Sequence, residues 1–281
     1  MNPIIISNKT DFEKKKKEFI RDGSATIHVL SDFDKTLTKG LVQGKKANTL
    51  ISYIRDGNYL TSDYPAKAHA LFDVYNPIEI DVTVPLEEKK EKMLEWWTLH
   101  TDLLVRSEMN QSVIEDIVQK NDIHFRAGSL EFLEYIHTHH IPVIIMSAGP
   151  GQLIEEFLKK EKRMYDNMHV IANFFIWDAQ GNAIGRREPI IHTFNKHEIE
   201  MKGMPFYESL VTKKNVILLG DMLGDVGMVE GFAYNNLLKI GFLNEKVEEN
   251  LEAYKKQFDV VITHDGDFSF VNNFMKEIVN N

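Results

Sequence analysis

The chain has 281 residues, a formal net charge of −9, 43% hydrophobic residues and no cysteine. That length allows one large domain or a core carrying a smaller insertion, with ample apolar material for a packed interior. The charge argues against a nucleic-acid coat or a binder of anionic membranes, and the lack of cysteine excludes disulfides, thiolate metal sites and a cysteine nucleophile.

The apolar run at 3–6 is too short for a signal h-region and no run approaches a membrane span, so a soluble, cytoplasmic protein is expected. Residues 11–21 have helical spacing, with Phe12, Phe19 and Ile20 apolar and the lysines at 14–17 on a solvated face. Strands are predicted at 27–31, 141–147, 170–177, 216–220, 237–242 and 260–263, with helical patterns between most of them. This alternation predicts an α/β fold with a mainly parallel sheet and helices on both faces. From 44 to 126 the rhythm breaks, and helices are expected at 47–55, 62–71, 86–107 and 111–119 with no convincing strand. Pro85 stands where the third of these begins, a position that suits proline. The stretch is therefore expected to be a helical cap at 44–126, inserted after the first core strand into a core of 1–43 and 127–281. Residues 174–193 contain Asp178-Ala179-Gln180-Gly181-Asn182 and are expected to form a hairpin on that core.

Several of these segments end on chemistry. The first strand stops at Asp32 and Asp34 and runs into Thr36-Leu37-Thr38. Carboxylates at the end of a buried strand are costly to desolvate unless a cation meets them, and in an open α/β sheet that edge is where ligands bind. The turn after them lets the two diverge, one to attack phosphorus and the other to protonate a leaving oxygen. Asp-x-Asp alone also fits a surface turn or a calcium loop. The second strand runs into Ser147-Ala148-Gly149, which offers a hydroxyl and free N–H groups at a helix N-terminus for phosphate, or an ordinary serine-capped turn. The fourth ends in Gly220-Asp221-Met222-Leu223-Gly224-Asp225, where Asp221 can ligate a hard cation and Asp225, one turn on, can support it. A phosphate among carboxylates needs a fixed positive charge, for which Lys196 in Phe194-Asn195-Lys196-His197-Glu198 is the candidate.

In chain order (32–38, 147–149, 195–196 and 220–225) the four segments resemble the four motifs of the haloacid dehalogenase superfamily of phosphohydrolases. The resemblance implies a Rossmann-like core with a cap after its first strand. It also implies Mg²⁺ bound by Asp32, Asp221 and the backbone carbonyl of Asp34, with Asp225 supporting. Asp32 would form an aspartyl-phosphate, Asp34 would serve as acid and then base, and Ser147, Ala148 and Lys196 would hold the phosphoryl oxygens.

Glu79-Ile80-Asp81, Glu87-Glu88-Lys89, Glu95-Trp96-Trp97 and Leu103-Leu104-Val105, together with Phe194-Asn195-Lys196-His197 and the 238–244 segment, are similar to the cytosolic 5′-nucleotidase III (pyrimidine 5′-nucleotidase) family. This implies hydrolysis of nucleoside 5′-monophosphates such as CMP or UMP to nucleoside and phosphate. The position of Glu79 is one that contacts the base in that family, and a carboxylate accepts hydrogen bonds from an exocyclic amine. Trp96 and Trp97 are candidates to stack on the ring; adjacent tryptophans on a helix point in different directions, so at least one is expected in the core and one facing substrate, with Trp97 favoured. Trp97 stands where tyrosine is expected in pyrimidine-preferring members, and its larger face suits a purine or the cationic base of 7-methyl-GMP. His100 either borders the base or lies at the surface. The rival readings are another phosphatase of the superfamily, a nucleoside phosphotransferase, or a silent nucleotide binder. No nucleic-acid polymer or membrane partner is expected, and the chain is expected to act as a monomer. His137, His139 and His140 are read as a polar helix end, Arg186 and Arg187 as a solvated turn, and Asp265-Gly266-Asp267 as the turn before the last helix.

Overall fold

The computed structural model describes residues 4–81, 83–121, 123–196, 204–230 and 233–280; His197 and Glu198 of the lysine segment lie outside them. The chain opens with β1 (Ile4–Ile6), α1 (Lys9–Asp22) and β2 (Ile27–Ser31), then a two-residue-stranded hairpin, β3 (Leu41–Val42) and β4 (Lys45–Lys46). Four helices follow: α2 (Leu50–Asp56), α3 (Tyr64–Ile80), α4 (Leu86–Arg106) and α5 (Gln111–Lys120). The chain continues through α6 (Ser129–Thr138), β5 (Val143–Pro150), α7 (Gly151–Lys160), β6 (Met168–Asn173), β7 (Phe175–Trp177) and β8 (Ala183–Arg186). It closes with α8 (Tyr207–Leu210), β9 (Asn215–Gly220), β10 (Asn236–Leu243), α9 (Val247–Gln257), β11 (Val260–Thr263) and α10 (Ser269–Val279).

The main sheet has the order β1-β11-β10-β9-β2-β5-β6. β2 sits between β9 and β5, parallel to both, with Val29 opposite Ile217 and Val143. Every residue of β2 and β9 is buried, as their unbroken apolar runs require of strands covered on both faces. Alternate residues point to opposite sides. Val29, Ile145 and Ile217 face a core shared with Phe19 of α1, Phe132 of α6 and Phe274 of α10. Leu30, Ile144 and Leu218 face a second core with Leu210 of α8 and Val247 of α9. The predicted mainly parallel α/β architecture is therefore the one observed, and α2 to α5 enter the chain between β2 and β5.

Four details depart from expectation. β1 pairs antiparallel with β11 (Ile4 opposite Ile262), so the apolar run dismissed as a leader is an edge strand. Lys45 and Lys46 are strand rather than helix-flanking coil, because Gln43 and Gly44 both adopt positive φ (51° and 75°) and close a tight hairpin. The expected strand at 170–177 is two, β6 in the main sheet and β7 paired with β8, broken at Phe174. The helix expected to stop at 71 continues through Pro77 to Ile80, held where Tyr75 stacks on Trp96 of α4 at 5.9 Å. That continuation puts Glu79 on a helix. Among the described residues no helix is long and apolar enough to cross a membrane.

Candidate active site

The parallel register brings the carboxyl ends of β2, β5 and β9 to one edge of the sheet. The backbone N–H of Asp32 still donates to Leu219 O (3.0 Å), so Asp32 is held by the ladder itself, and the chain turns only after it. Between this edge and α2, α3 and α4 lies a cavity of about 540 Å³, and every residue assigned a site role from the sequence lines it. A larger hollow of about 710 Å³ between α3 and α4 is apolar where it meets Leu71, Val74 and Leu99 and contains none of those residues.

At the sheet edge Lys196 Nζ donates to Asp32 Oδ1 (2.5 Å) and Asp225 Oδ1 (2.7 Å), with all three side chains buried. The other oxygen of Asp225 accepts the backbone N–H groups of Asp221 (3.1 Å) and Met222 (2.9 Å). Gly220 permits this closure, since a Cβ there would lie 2.4 Å from that of Asp225. Asp32, Asp221 and Asp225 offer oxygens within 4.8 Å of one another. Burial pushes the Asp32 carboxyl up to about 6 although Lys196 opposes it. Burial, then the charges of Asp32 and Asp225, hold Asp221 well above the usual range. Burial works against the Lys196 ammonium, yet Asp225 and Asp32 keep its pKa above normal. Three carboxylates facing one lysine leave an excess of negative charge, which a divalent cation with oxygen ligands would relieve.

Asp34 has diverged from Asp32. Its carboxylate accepts the Leu50 N–H (3.2 Å) at the start of α2, while burial and then the Asp32 charge push it up to about 7. Ser147 closes the opposite side: its Oγ accepts from Gly149 N (3.0 Å), and a Cβ at Gly149 would stand 3.6 Å from Asp34 Oδ2.

At the other end of the cavity Glu79 Oε1 accepts from Thr193 Oγ1 (2.7 Å), which ties α3 to the loop carrying Lys196. Lys89 Nζ donates to Glu79 O (2.9 Å) and lies 5.3 Å from the Phe194 ring centroid, tying α4 to the same loop. Trp96 is buried against Tyr75 and Phe72, whereas Trp97 is only half-buried. His100 is buried rather than at the surface, its Nε2 hydrogen-bonded with Tyr64 OH (3.0 Å). Burial and then the charge of Arg55 lower its pKa to about 4, so the ring is neutral.

Arg126 was missed by sequence reasoning. Its buried guanidinium donates to Thr36 O (2.9 Å), Lys35 O, Gly266 O (2.8 Å), Asp265 Oδ1 (3.1 Å) and Asn244 Oδ1 (2.9 Å). It clamps the turn behind Asp34, and Asp265 is its partner rather than a cation ligand. No local pattern marks a lone arginine whose partners lie across the chain. Among the described residues the histidines at 137, 139 and 140 form no metal-type cluster; His137 stacks on Tyr165 at 4.1 Å. Arg186 pairs with Asp102 (2.5 Å) and Arg187 lies over Phe174 at 5.2 Å, neither lining the cavity.

A parallel sheet gathers strand-end carboxylates around a buried lysine beneath helices inserted between β2 and β5, the arrangement that the resemblance to the haloacid dehalogenase phosphohydrolases implied. The family model described as pyrimidine 5′-nucleotidase (UMPH-1) matches residues 35–279. The chain belongs to that family and is a 5′-nucleotidase, a phosphoric monoester hydrolase. The Gallus gallus 7-methylguanosine phosphate-specific 5′-nucleotidase is 34% identical over 92% of this chain and 89% of its own length. The Homo sapiens protein of the same name is 33% identical over 92% and 87%. The crystal structure of cytosolic 5′-nucleotidase IIIB bound to cytidine gives a TM-score of 0.92 at 29% identity, covering 99% of this chain and 94% of that one. A substrate-bound phosphoserine phosphatase shares the fold at a TM-score of 0.54 and 17% identity, over 89% and 98% of the two chains.

Proposed function

We propose that the chain hydrolyses nucleoside 5′-monophosphates to nucleoside and phosphate through an aspartyl-phosphate on Asp32, acting as a monomer in the cytoplasm. The observation that carries this reading is the single cavity that joins the Asp32–Lys196–Asp225 cluster to Glu79 and Trp97. The reaction begins when an Asp32 oxygen attacks phosphorus and the bond to the 5′ oxygen breaks. Asp34, protonated near neutral pH, gives its proton to that leaving oxygen. It then takes a proton from the water that attacks the aspartyl-phosphate, which releases phosphate and restores Asp32. Ser147 Oγ, the Ala148 backbone N–H and Lys196 Nζ hold the phosphoryl oxygens throughout.

The clustered carboxylates fit Mg²⁺, which Asp32, Asp221 and the Asp34 carbonyl would hold, with Asp225 supporting. Bound there, the ion would neutralise charge on the phosphoryl group. Residues 44–126 act as a cap: Glu79 accepts from the base and Trp97, the more open tryptophan, stacks on it, while Trp96 and His100 form the wall behind. CMP and UMP are the proposed pyrimidine substrates. The names of the relatives and the broad face of Trp97 favour 7-methyl-GMP as the second.

The test is phosphate release from CMP, UMP, AMP, GMP and 7-methyl-GMP beside a sugar phosphate, with Mg²⁺ and with EDTA. Release from nucleotides with Mg²⁺, abolished by EDTA, is expected. Turnover of the sugar phosphate alone would refute the account of the cap, and no release from any of them would refute the activity.

A further inference from the structure

Arg55, on the short helix α2, lines the same cavity as Glu79 and Trp97, and its side chain is only 12% exposed. Its guanidinium lies over the Phe72 ring, 4.8 Å from the centroid. Nη2 donates to Ser52 Oγ at 3.3 Å, and Nε faces Asp56 Oδ1 at 3.3 Å, an oxygen that also serves His69 at 3.0 Å. Nη1 has no hydrogen-bond partner among the described residues. A guanidinium largely enclosed at the cavity wall with a donor free can pair with an acceptor that enters the cavity. Its field reaches the base end of the cavity, since it helps depress the basicity of His100.

Phe72 and Glu79 stand seven residues apart on α3 and so share a face, separated by about 10 Å along the axis. The guanidinium over Phe72 and the carboxylate of Glu79 therefore bracket the side of the cavity that this face of α3 lines. One bracket donates and the other accepts.

We infer that Arg55 is a specificity-determining residue, donating to a carbonyl oxygen of the base while Glu79 accepts from its N–H. This rests on the nucleotidase reading above. Cytosine, uracil and guanine each carry both groups, and adenine has no carbonyl. With AMP in the site, the guanidinium finds no carbonyl acceptor on the base and keeps only Asp56 and Ser52.

The experiment compares kcat/KM for CMP, GMP and AMP in the wild type, Arg55→Met and Arg55→Lys. The wild type is expected to favour CMP and GMP over AMP by at least about tenfold. Arg55→Met should reduce the CMP/AMP and GMP/AMP ratios by about tenfold, and Arg55→Lys should restore part of them. Equal losses on all three substrates would place Arg55 on the ribose, the phosphate or the fold and overturn the inference, as would unchanged ratios. Should Arg55→Met not fold, the wild-type ratios still decide: AMP turned over as well as CMP and GMP overturns it. Wild-type turnover of p-nitrophenyl phosphate with none of any nucleotide would instead refute the nucleotidase reading.

Discussion

The two ends of the cavity are built by different means. At the sheet edge, Asp32, Ser147 and Asp221 are placed by strand register, and their positions follow from where each apolar run stops. At the other end, proposed to hold the base, Glu79, Arg55, Trp97 and His100 come from three helices, and side-chain packing between those helices decides what each can touch. Backbone ladders tolerate changes in neighbouring side chains, whereas a pocket made by helix faces is altered by each substitution in it. On the proposed reading, chemistry resides where the scaffold is stiff, and substrate choice where it is adjustable.

Three substitutions test that division, beginning with the largest effect. Asp32→Asn removes the proposed nucleophile and should reduce phosphate release by about 10³-fold or more, while calorimetric titration still detects nucleotide binding. Turnover within tenfold of wild type would show that no covalent step passes through Asp32. Glu79→Gln keeps the shape of the base end but removes its charge. It should reduce kcat/KM for CMP relative to AMP or change the order of the bases by about 10-fold, with the response to Mg²⁺ unchanged. A uniform fall across bases together with altered Mg²⁺ dependence would mean that the two ends are not separable.

The smallest effect concerns stability. Asp34 has its carboxyl pushed from 3.8 up to about 7 by burial and then by Asp32. Between those values the folded protein holds a proton that the unfolded chain has lost, so this group makes stability fall as pH rises through the window. Asp34→Asn removes that loss. In metal-free protein its stability relative to wild type should improve from pH 4 to pH 7 and level off above, by on the order of 4 kcal/mol. Urea melts at several pH values measure this, and a difference independent of pH would contradict the raised carboxyl.

What could be read from the sequence follows the same division. Apolar runs ending in Asp32, Ser147 and Asp221 carry their own evidence, because burial, strand end and functional group are contiguous. β1 carries none, since three isoleucines become a strand only beside Ile262, at the far end of the chain. The continuation of α3 beyond Leu71 and through Pro77 was not legible, because the packing of Tyr75 on Trp96 that accompanies it involves a different helix. The tryptophan pair was partly legible: helical geometry sets the two rings at different angles, and the structure shows which is enclosed. The hydrogen bond from Thr193 to Glu79 joins residues 114 positions apart, and neither stands in a motif that points to the other.

Arg126 has a consequence for how the molecule breathes. One side chain ties the turn at Lys35 and Thr36 to Asn244 beyond β10 and to Asp265 and Gly266 beyond β11. Loops at the end of a sheet ordinarily open independently, each at its own low free energy. Here the turn behind the nucleophile cannot loosen without stranding a buried guanidinium that also serves two strands on the other side of β9. The turn behind Asp34 thus shares one buried hydrogen-bonded hub with the far half of the sheet, so opening it alone would break contacts on both sides of β9.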